Sequence, residues 1–138
     1  MSDKPLVLIV EDNSNDEMLA LRALKQSSVP CTIEVARDGL QAVEFLFDLE
    51  KPIPDLVLLD LKLPKIRGLE VLKRIREDER TRRVPVVLFT SSNQPSDIFS
   101  CIDAGANSYV RKPVDFVEYL ECMAKVADYW LNFHQSGR

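Results

Sequence analysis

The sequence predicts an α/β fold, a doubly wound parallel sheet with helices on both faces. Five short apolar runs alternate with five stretches of helical periodicity. Alternation of this kind builds parallel sheets through right-handed crossovers. The first, third and fourth runs are apolar on both faces, as buried central strands are. The chain has 138 residues, enough for one domain whose core needs no metal or disulfide staple.

The first run, Leu6-Val7-Leu8-Ile9-Val10, is short and rich in branched side chains, so it reads as a central strand. A helix follows over Asn13–Ser27, with Asp16 and Glu17 in its first turn, where the helix dipole favours acids. Met18, Leu21 and Leu24 lie near one face of it. The second run, Thr32-Ile33-Glu34-Val35-Ala36, alternates in polarity like an edge strand. Asp38 caps the next helix, which carries Leu40, Val43 and Phe47. Leu56-Val57-Leu58-Leu59 and Val86-Val87-Leu88-Phe89 are the third and fourth strands, with a helix over Gly68–Asp78 between them. Pro95–Ala104 forms the fourth helix and Gly105 stops it. Ser108-Tyr109-Val110 is a short fifth strand, and Val114–Phe133 the long C-terminal helix. With the polar and the short runs at the edges, the strand order is flavodoxin-like, (βα)5 with order 2-1-3-4-5. One domain spans 1–138, its core about 5–133, with a short polar tail.

Composition narrows the function classes. At 46% hydrophobic and 29% charged, with eight prolines and four glycines, the chain is neither fibrous nor low-complexity. No apolar run approaches the ~20 residues of a membrane span, and the start lacks the flanks of a signal peptide, so the expected location is the cytoplasm. Cys31, Cys101 and Cys122 form no CxxC pair, and with one histidine in the chain a zinc site is not expected. Net charge is −4, but Lys62–Arg83 carries a local +5. No aromatic residue interleaves with those cations, so the segment reads as a solvated helix face and loop rather than a nucleic-acid surface.

In a sheet of this order the ligand site lies beyond the carboxyl ends of the strands, where the first and third meet. Glu11 and Asp12 end the first strand, Asp60 the third, Thr90 and Ser91 the fourth, and Lys112-Pro113 follows the fifth. Taken singly, the acids and Thr90 also read as helix caps, Lys112 as a solvated lysine and Tyr109 as an edge-strand aromatic. Capping does not explain Asp60, which ends an apolar strand and precedes Leu61-Lys62-Leu63-Pro64 rather than a helix. Clustered like charges need a cation, and hard carboxylate oxygens suit Mg²⁺.

Four strings make the pattern specific: Val10-Glu11-Asp12-Asn13, Leu58-Leu59-Asp60-Leu61-Lys62-Leu63-Pro64 with Gly68, Leu88-Phe89-Thr90-Ser91, and Tyr109-Val110-Arg111-Lys112-Pro113. In order and spacing the chain resembles the response-regulator receiver domains of two-component signalling over nearly its whole length. The resemblance implies that Asp60 is the phosphoacceptor, with Thr90 bonding the phosphoryl group and Lys112 pairing with it. It implies Mg²⁺ held by Asp12, Asp60 and the Lys62 backbone carbonyl, with Glu11 acting mainly through a water. It further implies a cis Lys112–Pro113 peptide, and a switch in which Thr90 moves inward and Tyr109 fills the space left. Lys62 is either a solvated lysine or a cation that screens the acyl phosphate.

More narrowly, Asp128-Tyr129-Trp130-Leu131 and Pro95-Ser96-Asp97-Ile98-Phe99 resemble single-domain regulators paired with cyanobacterial phytochrome histidine kinases. That implies a phytochrome-type sensor kinase as phosphodonor. A phosphatase with an aspartyl nucleophile would carry a second Asp two positions on, where this chain has Lys62. So no turnover of a free substrate is expected. The alternative is a receiver-like interaction module independent of phosphorylation. No DNA-binding segment follows the last helix, so direct DNA binding is not expected, and His134 in the tail is not a rival phosphorylation site. On the last helix, Val117, Leu120, Ala124, Ala127 and Leu131 can face the sheet. Phe116, Tyr119, Met123, Val126, Trp130 and Phe133 then form a second stripe. Two apolar stripes suggest a helix covered on two sides, and a homodimer through Phe116, Tyr119, Trp130 and Phe133 is expected.

Overall fold

The strands form in the expected places, and all four strand pairs are parallel. β1 (Leu6–Val10), β2 (Thr32–Ala36), β3 (Leu56–Leu59), β4 (Val86–Thr90) and β5 (Ser108–Arg111) lie in the order β2-β1-β3-β4-β5. The structure is a computed structural model describing residues 4–133, the last by its main chain only. The Phe133 side chain and His134 therefore lie outside the described residues. The helices are α1 (Ser14–Lys25), α2 (Gly39–Leu46), α3 (Gly68–Glu77), α4 (Pro95–Asp103) and α5 (Phe116–Asp128), the last continuing into a π-helical turn over Tyr129–Phe133.

Alternation along the central strands sends side chains into two cores. Leu8, Val10, Val57, Leu59, Val86 and Leu88 face α2, α3 and Cys101 of α4. Val7, Ile9, Leu56, Leu58, Val87 and Phe89 face α1 and α5. The helices meet the sheet on smaller residues than the sequence pattern suggests. Ala20, Ala23 and Leu24 are the buried residues of α1, while Met18 is 63% exposed. Gly39, Ala42 and Leu46 are those of α2, and Leu40 is exposed.

Side-chain caps fix the starts of α1, α2 and α5. The Asn13 side chain accepts the Asp16 amide at the start of α1, and Asp38 accepts the Gln41 amide at the start of α2. Gly105, at φ 103°, follows α4 in the left-handed region, where a side chain would be strained. Gly68 is required by space, because a Cβ there would stand 2.3 Å from the Asp60 carbonyl oxygen. At the end of the sheet remote from Asp60, the Arg76 guanidinium donates to the carbonyls of Gly105, Arg82 and Val84 and to Asn107 Oδ1.

Two expectations are corrected here. The Lys112–Pro113 peptide is trans, not cis. Trans is the intrinsically favoured isomer before proline, and the Lys112 amide, on the other side of that residue, pairs the end of β5 with the Thr90 carbonyl at 2.7 Å. Tyr119 belongs to the core and not to an outer stripe. Asp115 caps α5 by accepting the Glu118 amide. From that start Tyr119, Met123 and Ala127, at i, i+4 and i+8, point inward, and Val117 is 55% exposed. The Tyr119 ring packs edge-on against Phe89, with centroids 5.2 Å apart.

Candidate functional site

Register brings the site together. Val10 pairs with Leu59, so the residues that follow, Glu11 and Asp60, emerge side by side where β1 and β3 end. Carboxylate oxygens of Glu11, Asp12 and Asp60 lie within 4.8 Å of one another. Lys112 enters from the end of β5 and occupies the middle of this cluster. Its Nζ donates to Glu11 Oε1 at 2.6 Å, to Asp16 Oδ2 at 2.8 Å and to Asp60 Oδ2 at 3.0 Å. Asp60 Oδ1 accepts the Lys62 amide at a longer 3.3 Å. Glu11, Asp60 and Lys112 are buried, whereas Asp12 and Lys62 are exposed beside an open cleft they share with Leu63, Pro64 and Arg67.

The charges do not balance. Among the described residues, three carboxylates, Glu11, Asp16 and Asp60, share the one Lys112 ammonium, and Asp12 stands beside Glu11 and Asp60. Burial pushes the Glu11 carboxyl up to about 7, with Asp60 adding to the rise, against the opposing pull of Lys112. For Lys112, burial works against its charge, but the bonds to Asp16 and Glu11 and the charge of Asp60 hold its pKa above the usual lysine range. Lys112 therefore stays an ammonium, and the cluster stays net negative. Oxygen donors of this kind at this spacing fit a hard divalent cation.

Thr90 is fully buried at the end of β4, and its hydroxyl oxygen accepts the Ser92 amide at 3.4 Å. Tyr109 on β5 donates its hydroxyl to the Ser92 carbonyl at 2.9 Å, and Ser92 Oγ donates to Asp97 Oδ2 of α4 at 2.6 Å. Thr90, Tyr109 and α4 are thus joined through one loop residue. Burial raises the Tyr109 phenol above its ordinary pKa, against that hydrogen bond. Ser92 and Asp97 of this chain of contacts were not anticipated as partners of Tyr109, and neither was Asp16 as a partner of Lys112. In the sequence, Asp16 has a sufficient explanation as a first-turn acid.

Of the expected outer residues, Phe116 is 47% exposed, with the Arg22 guanidinium 5.4 Å above its ring. Trp130 is partly buried against the core and meets Tyr129 edge-on. Tyr119 lies inside, in the core against which Trp130 packs.

The response regulator receiver domain family matches residues 7–124. The chain belongs to that family. Among relatives of this receiver domain, a probable methanogenesis regulatory protein, FilR2 of Methanothrix harundinacea, is 37% identical over 137 residues, covering 97% of this chain and 88% of that protein. Response regulator Rcp1 of Synechocystis is 33% identical over 130 residues, covering 91% and 88%. The crystal structure of Rcp1 in its Mn²⁺-bound form superposes with a TM-score of 0.90 at 32% identity, over 96% of this chain and 98% of that one. That of the phosphorylated cyanobacterial phytochrome response regulator RcpA gives 0.91 at 34% identity, over 96% and 97%. The receiver fold carries phosphorylation-based signalling, and its acidic pocket is the place where such domains bind a divalent metal.

Proposed function

We propose that this receiver accepts a phosphoryl group on Asp60 from a phytochrome-type sensor histidine kinase, with Mg²⁺ as cofactor, and passes the signal on through its surface. The observation that carries this reading is the contact of Asp60 with Lys112 at the end of β3, inside an acidic cluster whose charge one ammonium cannot balance. In the transfer, an Asp60 oxygen forms a bond to phosphorus as the bond from phosphorus to the kinase's histidine nitrogen breaks. Such transfers depend on alignment and on neutralising oxygen charge. Lys112 supplies a fixed cation for one phosphoryl oxygen, and the Thr90 hydroxyl supplies a donor for another once it turns from the Ser92 amide. Asp12, Asp60 and the Lys62 carbonyl would hold the metal, with Glu11 acting through a water. When bound, Mg²⁺ supplies the remaining positive charge for the phosphoryl oxygens.

Tyr109 and Ser92 support the switch reading, because any displacement of Thr90 acts on a loop already bonded to β5 and α4. This is a population shift between two packings of that face. We place the exchange in the cytoplasm, in keeping with three free thiols at Cys31, Cys101 and Cys122. Turnover of a free substrate and direct DNA contact are not part of the reading. A homodimer through α5 and its π-helical turn remains part of it. Its face keeps Phe116 and Trp130, adds exposed Val117 and Tyr129 in place of buried Tyr119, and includes Phe133, whose side chain lies outside the described residues.

Intact mass measurement after incubation with acetyl phosphate and Mg²⁺ tests the central claim. Wild type should gain one phosphoryl mass, and Asp60→Asn should gain none while keeping its fold. Labelling of Asp60→Asn at the wild-type rate would show that the acceptor lies elsewhere.

A further inference from the structure

We propose that Asp16 is a positioning residue for phosphoryl transfer, holding the third corner of the Lys112 ammonium from α1. The inference rests on the reading of Asp60 as acceptor and goes beyond the four strings that identify the family, none of which contains Asp16.

An ammonium has three hydrogens and no acceptor capacity. In Lys112 all three are used, by Glu11 at the end of β1, Asp60 at the end of β3 and Asp16 in α1. A phosphoryl oxygen can bond Lys112 only by displacing one of the three. Chemistry selects which. As the Asp60 oxygen bonds to phosphorus and the leaving atom departs with its electron pair, the Asp60 carboxylate becomes a neutral acyl group. The electron pair leaves with the departing group, the phosphoryl oxygens bring their own negative charge beside Lys112, and the hydrogen directed at Asp60 Oδ2 is the one to turn to them. Glu11 and Asp16 then hold the ammonium in place. Without Asp16, one carboxylate would tether a charge at the end of a flexible four-carbon stem.

A second observation shows that Asp16 is diverted to this use. It stands three residues after the N-cap Asn13, where the acid of a capping box turns back to the N-cap amide. Here that amide donates instead to Glu11 Oε2 at 3.1 Å. Asn13 caps the helix through the Asp16 backbone amide at 3.0 Å, so the Asp16 carboxylate is not needed for the cap. The Asp16 carbonyl also accepts the Tyr119 hydroxyl at 3.2 Å, fixing this turn of α1 against buried α5.

The test measures labelling rate against acetyl phosphate concentration, with Mg²⁺ in excess, for wild type, Asp16→Ala, Asp16→Glu and Asp60→Asn. Asp16→Ala should lower the maximal rate about tenfold at an unchanged half-saturating concentration, since it removes one hydrogen bond to a charged group that solvent can partly replace. Asp16→Glu should restore at least half of the loss, because the position is open enough for a longer arm to refold onto Lys112. The ¹⁵Nζ signal of the Lys112 ammonium should be sharp in unphosphorylated wild type and broadened in Asp16→Ala. Wild-type labelling at Asp60 with an unchanged maximal rate in Asp16→Ala overturns this inference alone. So does a lost rate that Asp16→Glu fails to restore, or an unchanged ammonium signal. Failure of wild type to label at Asp60 overturns the parent reading and this one with it.

Discussion

Replacing Lys112 with methionine should cost the unphosphorylated, metal-free protein about 3 kcal/mol at pH 8. The figure follows from the three bonds the ammonium makes. Glu11 and Asp60 lie at 2.6 and 3.0 Å with side-chain exposures of 6% and 10%, so both lose a buried partner. Asp16, at 28% exposure, can turn to water, and its share is small after solvent screening. Breaking a buried pair by removing one partner costs roughly 3–5 kcal/mol. The low end applies because Glu11 can take up a proton. For a chain of this length about 3 kcal/mol is roughly 10 °C in melting temperature. The pH dependence has a definite sign. A carboxyl raised in the folded state binds more protons there than when unfolded, so stability falls as pH rises between the two pKa values. In wild type that window runs from 4.5 to about 7. Without Lys112 it extends upward, so the deficit of Lys112→Met should be largest at pH 8 and shrink toward pH 5. Urea denaturation with chelator at the two pH values is the assay. A deficit below about 1 kcal/mol, or one equal at both pH values, would refute the idea that Lys112 compensates this cluster.

Lys62→Ala should shorten the lifetime of phosphorylated protein two- to fivefold, the scale of an exposed ion pair of about 0.5–1 kcal/mol, while changing the labelling rate less; equal effects on both return Lys62 to a solvated lysine. Burial pushes the Tyr119 phenol above the tyrosine range. Since the unfolded phenol ionises near 10 and the folded one later, stability should fall as pH rises above about 10, and Tyr119→Phe should flatten that alkaline limb in a tyrosinate absorbance titration. Phe116→Ala and Trp130→Ala should weaken self-association about tenfold each in sedimentation runs across micromolar concentrations, the scale of a modest interface contact; a wild type that stays monomeric, phosphorylated or not, removes the dimer.

Strand order was legible because it depends on which runs are apolar on both faces, and the β2 edge strand shows its polar alternation directly. Asp60 was legible for a related reason: an acid ending a doubly apolar strand has no structural excuse. The helix faces were harder. Large apolar residues such as Met18, Leu40 and Val117 suggest an inward stripe, but the sheet approaches closely enough that Ala20, Ala23 and Ala42 take the inner positions. For α5 neither apolar stripe turns inward whole: Tyr119 and Met123 of one and Ala127 of the other form the buried face, while Phe116 and Val117 are exposed. Asp16 and Ser92 were not legible at all. Their partners lie 96 and 17 residues away, and Asp16 has a complete local explanation as a first-turn acid of α1.

The bonds of Arg76 give the molecule a fixed pivot. Its guanidinium clasps the segment just beyond α4, while the other end of that helix is bonded to Ser92 through Asp97. Nine residues of helix make a lever arm of roughly 13 Å. With the far end clasped, a tilt of about 5° carries the near end about 1 Å, the scale on which a hydrogen bond at Ser92 is made or broken. Phe99 and Ile102 ride on this arm with 68% and 48% of their surface exposed. A partner docked across them would feel unequal displacement at its two edges, greater toward Phe99. It would sense a change of angle more than a change of position.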